Sequence, residues 1–141
     1  MHGTIVCGMT ASPEARGAAQ AAAALAARLD LRLVLVHVAD GTARRDAVSE
    51  PALEEVARDL GGHVETRIVH GNRVDGLAQA AADEGADAIV LGARGRGSRV
   101  LRCGLARRLE AAQTVPVVVA PPATRARSGR RLALADTRTR R

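Results

Sequence analysis

The 141-residue sequence contains no Phe, Tyr or Trp. Its core must therefore be built from Val, Leu, Ile and many Ala, and single-stranded nucleic acid finds no aromatic platform to stack on. A flat adenine ring can still be gripped between aliphatic side chains. Lysine is absent as well, so all 21 basic residues are Arg. Together with the abundant Ala, this reads as a GC-rich coding bias and not as a functional signal. The only cysteines, Cys7 and Cys103, lie far apart and outside any CxxC pair. They imply no disulfide framework, as expected of a reducing compartment. Cys7 stands in an apolar run and reads as a small buried hydrophobe. Cys103, beside Arg102, reads first as a packing residue and second as a reactive thiol. No apolar stretch is long enough to span a bilayer, and the opening Met-His-Gly-Thr carries no basic and apolar leader. The expectation is a cytoplasmic protein with no membrane partner. No Cys, His, Asp or Glu set has metal-ligand spacing, and no nucleophile and base are paired by spacing. The sequence thus offers no catalytic residue and no metal site.

The net charge of +6 becomes informative once located. Residues 123–141 carry seven Arg and one acid, Asp136, whereas residues 1–122 carry 14 Arg and 14 acids. The whole excess sits in the tail, and the globular part is neutral. The high isoelectric point is therefore no sign of a nucleic-acid-binding fold. The tail lacks sustained apolar periodicity and reads as a disordered extension. An arm for nucleic acid or an anionic surface is the sharper alternative, but the Arg density is loose and no amphipathic face supports it.

Within residues 1–122 apolar runs and helical patterns alternate. Strands are expected at 4–9, 32–38, 63–69, 87–91 and 115–120. The third, alternating polar and apolar residues, suits an edge. Helices are expected from Ser12-Pro13-Glu14 to about Leu29, over 50–60, from the Asn72 cap to Gly85, and over 100–113. Inner positions are expected at Leu53, Val56, Ala57 and Leu60, then at Val74, Leu77, Ala78 and Ala81, and finally at Val100, Leu101, Leu105, Leu109 and Ala112. Asp75 is read as a helix-capping residue, His37 and His70 as structural. The alternation predicts an open α/β fold, with right-handed crossovers and helices on both faces of a parallel sheet.

The segment from Asp87 to Pro121 carries the most information. The run Ala-Ile-Val-Leu-Gly leads into Ala-Arg-Gly-Arg-Gly-Ser-Arg and then into a helix. A glycine-rich turn between a strand end and a helix start is where an open parallel sheet presents a ligand loop. Arg94, Arg96, Arg99 and Arg102 suit it to an anion, of which phosphate is the commonest biological one.

Several motifs in order resemble the universal stress protein family. They are Ile-Val-Cys-Gly-Met-Thr-Ala-Ser-Pro-Glu-Ala at the first strand end, Val36-His37-Val38, Ile68-Val69-His70-Gly71, Ala86-Asp87-Ala-Ile-Val-Leu-Gly, Gly92-Ala-Arg-Gly95 and Val115-Pro-Val-Val-Val. The resemblance covers roughly residues 4–121. It implies a five-stranded sheet of order 3-2-1-4-5, an adenine-nucleotide site, and a homodimer formed through the last strand, Val115 to Val119. Two departures touch the site. Family members that bind ATP keep Gly-x-x-Gly, nine residues, then Gly-Ser or Gly-Thr; here Gly104 follows after eight residues and Leu105 replaces the hydroxyl. They also keep an Asp after the first strand; here the position is Thr10, which offers an oxygen without a charge.

The nucleotide-binding set expected from this resemblance is Met9, Thr10, Val38, Gly92, Arg94, Gly95, Gly97, Ser98, Arg99 and Gly104. Adenine would lie near Met9, Thr10 and Val38, and the phosphates along the Gly/Arg loop. The expected ligand is ATP, with or without Mg²⁺, and the expected role is that of a stress-response sensor or regulator, not a committed enzyme. The alternative is a nucleotide-free interaction module acting through its dimer surface and basic tail.

Overall fold

The computed structural model describes residues 3–39, 41, 48–92 and 99–120, with residues 99–103 described by backbone alone. Strands β1 (Thr4–Gly8), β2 (Arg32–Ala39), β3 (Val64–His70), β4 (Ala88–Gly92) and β5 (Val117–Ala120) alternate with helices α1 (Pro13–Leu29), α2 (Glu50–Leu60), α3 (Arg73–Glu84) and α4 (Arg99–Ala112). All neighbouring strands are parallel, and the sheet order is β3-β2-β1-β4-β5. Class and strand order are those expected. The chain reverses its direction of growth between β1 and β4, which makes their carboxyl ends the switch point of the sheet. The expected boundary after residue 122 and the expected disorder of 123–141 lie outside the described residues.

Local chemistry sets the helix ends. Ser12, Ser49 and Asn72 cap α1, α2 and α3, their side chains accepting from the backbone N–H of Ala15, Ala52 and Asp75. Asp75 is thus not the cap but the residue whose amide is capped, while its carboxylate accepts from Asn72 Nδ2 at 3.1 Å. Gly85 ends α3 in the left-handed region and donates to the Ala81 and Ala82 carbonyls. Asp30 ends α1 in the same conformation, which acidic and amide residues tolerate better than most.

The core lies in two layers. One, against α1 and α2, joins Ile5, Cys7, Leu33, Leu35 and Val90 to five alanines of α1 and to Leu53 of α2. The other, against α3 and α4, joins Val6, Val34, Val36, Ile89 and Leu91 to Leu77, Ala80 and Leu109. Cys7 is fully buried, and burial pushes its thiol up to about 12. It is the small hydrophobe the sequence suggests. On α4 the expected inner position Ala112 is exposed, and Ala106 takes its place beside Leu109. β5 begins at Val117, not at residue 115: Pro116 has no N–H to pair, and its carbonyl accepts from Ile89 N–H at 2.9 Å.

The amino ends of the strands are tied by charge. Arg32 on β2 bonds Glu65 and Glu84, and Arg67 on β3 bonds Glu84 and Asp83. Glu84, at the end of α3, holds both arginines at 2.9 and 3.0 Å. Arg67 also draws the Asp83 carboxyl below its usual range. The pairs are half exposed, so salt screens them and each contributes little alone. Glu84→Gln is expected to cost about 1 kcal/mol in urea unfolding at low salt. Most of that difference should vanish in 1 M NaCl; a loss unchanged by salt would mean that packing, not charge, holds this corner.

Candidate functional site

Among the described residues, the carboxyl ends of the strands border two openings, one on each side of the sheet. On the α1 and α2 side is a cleft of about 500 Å³ lined by Met9, Thr10, Ala11, Ser12, Arg16, Val48, Ser49, Ala52 and Val56. Its walls are the turn from β1 into α1 and the first turns of α1 and α2. Both helix N-termini therefore open toward it, and each brings its capping serine. Backbone N–H groups and helix dipoles give this end of the fold a positive bias, to which the Arg16 guanidinium adds. Met9, Val48, Ala52 and Val56 supply an apolar wall.

On the α3 and α4 side is a much smaller recess, about 40 Å³, lined by Gly8, Met9, Val36, Val38, Arg73, Leu77, Leu91 and Leu105. Val38 faces this recess and presses on the first turn of α3. A Cβ added to Gly76 would stand 2.9 Å from both Val38 methyl groups. Thr10 and Val38 thus open onto opposite faces of the sheet, and Met9 alone borders both openings. Among the described residues, the expected members Met9, Thr10 and Val38 are thus divided between two openings.

Thr10 and Ser12 are joined by a hydroxyl pair, Oγ1 to Oγ 2.9 Å, and Ser12 Oγ accepts from Ala15 N–H at 3.1 Å. Ser49 Oγ accepts from Ala52 N–H at 3.2 Å. His37 lies behind the cleft, 5% exposed. Its Nδ1 is 2.8 Å from the Met9 carbonyl oxygen, and its Nε2 accepts from Val48 N–H at 3.3 Å.

The glycines divide sharply. Gly92 ends β4 where a Cβ would come 2.5 Å from the Glu14 carbonyl oxygen and 3.1 Å from Ala15 N. Its missing side chain makes room for α1. Gly104, on α4, is exposed and has no heavy atom within 4 Å of a built Cβ. Gly95, Gly97, Arg94 and Ser98, with Arg96, lie outside the described residues, and Arg99 and Arg102 are described by backbone alone, at α4's first turns. Cys103 shares that limit.

Three cleft residues escaped the sequence reading. Ser49-Glu50-Pro51 is a helix-start signature at α2, and Arg16 follows the Ser12 cap by one helical turn, which puts it on the same side of α1. Val48 left no signal. Mg²⁺ does not fit this cleft as a protein-held ion. Its lining offers hydroxyls and a guanidinium but no carboxylate, and no group of three His, Cys, Asp or Glu among the described residues is placed to hold a metal.

The profile described as the universal stress protein family matches residues 1–57 and 42–121. A universal stress protein family structure from Burkholderia pseudomallei is 25% identical, with a TM-score of 0.67, covering 86% of this chain and 97% of that one. A universal stress protein in complex with cAMP is 20% identical, with a TM-score of 0.67 over 86% of this chain and 98% of that one. The universal stress protein from Archaeoglobus fulgidus in complex with dAMP is 22% identical, with a TM-score of 0.62 over 84% and 97%. No curated protein matches the chain.

Gly92→Ala is expected to destabilise the fold by about 1–3 kcal/mol, because backbone must move. Gly104→Ala should stabilise α4 by about 0.5–1 kcal/mol. Thermal or urea unfolding of the two variants checks both signs. A neutral Gly92→Ala would mean that α1 does not approach the sheet as described.

Proposed function

The chain belongs to the universal stress protein family, and on that premise we propose that it binds an adenine nucleotide at the carboxyl end of β1 and serves as a stress-response sensor or regulator. The observation that carries this reading is the cleft between the α1 and α2 N-termini, which combines an aliphatic wall with three hydroxyls and Arg16. The aliphatic wall suits a purine face and the hydroxyls a ribose. The helix N-termini and arginines favour phosphate. Neighbours of the same fold are described in complex with cAMP and with dAMP, which supports the adenine class. ATP is the specific ligand proposed, with its phosphates on the Gly92–Arg99 segment. Any ATP hydrolysis would be slow, since no carboxylate or imidazole lines the cleft to act as a base.

A cytoplasmic homodimer completes the proposal. β5 is an edge strand on which Val118 is 46% exposed, and an uncovered β-branched edge invites pairing. No described helix is long and apolar enough to cross a membrane. Sedimentation at micromolar concentration should give a dimer, and Val118→Lys should shift it toward monomer; a wild-type monomer would remove the β5 interface from the proposal.

A nucleotide-free interaction module is the second reading. It is favoured by one observation: the Gly92 and serine features of the site already have structural roles in packing and capping. Two measurements separate the readings. Small molecules released on denaturation are identified by mass spectrometry, and ATP is titrated by calorimetry with and without Mg²⁺. Saturable binding at one site per chain, weakened about tenfold by Gly95→Ala, is the expected result. No released ligand and no heat up to millimolar ATP would leave the interaction module standing.

A further inference from the structure

We propose that His37, as a neutral imidazole protonated at Nδ1, clamps the two walls of the cleft together, and that its protonation releases the α2 wall. Three observations carry this. First, the ring is buried behind the cleft on β2, and both its partners are backbone groups of cleft-lining residues, Met9 and Val48. Second, the partners fix the tautomer. A carbonyl oxygen only accepts, so Nδ1 carries the hydrogen toward Met9; an amide N–H only donates, so Nε2 offers Val48 its lone pair. Third, the two partners are not equally secured. Met9 is held independently by its own N–H to the Val36 carbonyl at 2.8 Å. Val48 instead donates its backbone N–H to the ring itself, and it leads directly into the Ser49 cap of α2.

The imidazolium has a hydrogen on both nitrogens. Protonation would leave the Met9 bond intact but set an N–H against the Val48 N–H, so the lead-in to α2 must swing away. The body of α2 stays, because Leu53, Val56 and Ala57 remain buried. Only the wall formed by Val48 and Ser49 loosens. The ionisable groups on the surrounding elements are Cys7 on β1, Arg32 on β2, Glu65, Arg67 and His70 on β3, Glu14, Arg16 and Arg28 on α1, and Glu50, Glu54, Glu55, Arg58 and Asp59 on α2. Cys7 stays a neutral thiol, and among the described residues none of the others bonds the ring. Among the described residues, therefore, no carboxylate is in place to hold the imidazolium and offset the lost bond. His37 is a positioning residue, not a catalytic one.

The affinity part of this inference rests on the nucleotide reading; the clamp itself does not. In nitrogen-15 spectra of histidine-labelled protein at pH 8, His37 should show the Nδ1–H tautomer. The Val48 amide resonance should shift, and its exchange with solvent accelerate, with the same midpoint as the His37 ring on acidification. ATP affinity by calorimetry should fall about tenfold across that same midpoint. His37→Asn keeps a donor for Met9 but cannot reach Val48, and should show the weakened affinity already at pH 8 with that His37-linked step removed. An Nε2–H tautomer at pH 8, a Val48 amide indifferent to the ring's titration, or a pH step that survives in His37→Asn would each overturn the clamp. Absence of nucleotide binding at every pH would instead refute the reading of the preceding subsection, while the wild-type spectra still decide this one.

Discussion

The close seating of α1 on the sheet is the constraint on which the rest of the molecule depends. With no aromatic side chain anywhere in the sequence, the layer between helix and sheet can be thin. The inner face of α1 presents Ala15, Ala18, Ala19, Ala22 and Ala26. Each buries only a methyl group, so hydrophobic gain must come from many short contacts and close approach. At the top of the sheet this closeness reaches its limit, where Gly92 lies against the Glu14 carbonyl. The same approach holds the first turn of α1, with Ser12 and Arg16, beside the ends of β1 and β4. The packing of the core and the geometry of the cleft are one arrangement.

The two ends of the sheet are specialised differently. The amino ends carry the Arg32, Arg67, Glu84 network, while the carboxyl ends carry helix N-termini, hydroxyls and Arg16 without a carboxylate in the cleft lining. Parallel topology enforces this asymmetry. Every helix that follows a strand begins at the strand's carboxyl end, so unpaired N–H groups gather there. Glu14, Glu50 and Asp75 stand in the first turns of α1, α2 and α3 and offset part of this bias, but none of the three lines the cleft.

Element type and order were legible in the sequence because four strands are apolar runs, the third alternates, and α1 and α3 open on their own caps, Ser12-Pro13 and Asn72. Strand order 3-2-1-4-5 came from family resemblance, since alternation alone permits other orders. The site was less legible, for physical reasons. Side chains alternate across a strand, so His37 and Val38 face different layers, and an apolar run does not say which of its residues reaches which opening. Gly92 looked like a ligand glycine because a turn glycine and a packing glycine share the same local pattern; only the position of Glu14, 78 residues earlier in sequence, distinguishes them. Val48, just before α2, is tied to the cleft by a hydrogen bond to His37 on β2, and no local motif encodes such a contact.

The capping bonds do not by themselves close the cleft to a ligand. A serine or threonine hydroxyl donates one hydrogen and accepts through two lone pairs. Ser12 and Ser49 spend acceptor capacity on Ala15 and Ala52, and of the two hydrogens shared by Thr10 and Ser12 only one is used within the pair. Donors therefore remain, which is what a phosphate or ribose oxygen needs. An aspartate at position 10 would reverse this: it would accept only, and would need a cation or a ribose hydroxyl beside it. With Thr10 in that place the cleft is a set of neutral donors under two positive helix ends and one guanidinium. Such a site would need no metal to tolerate an anion, and His37 ties two of its walls together through Met9 and Val48.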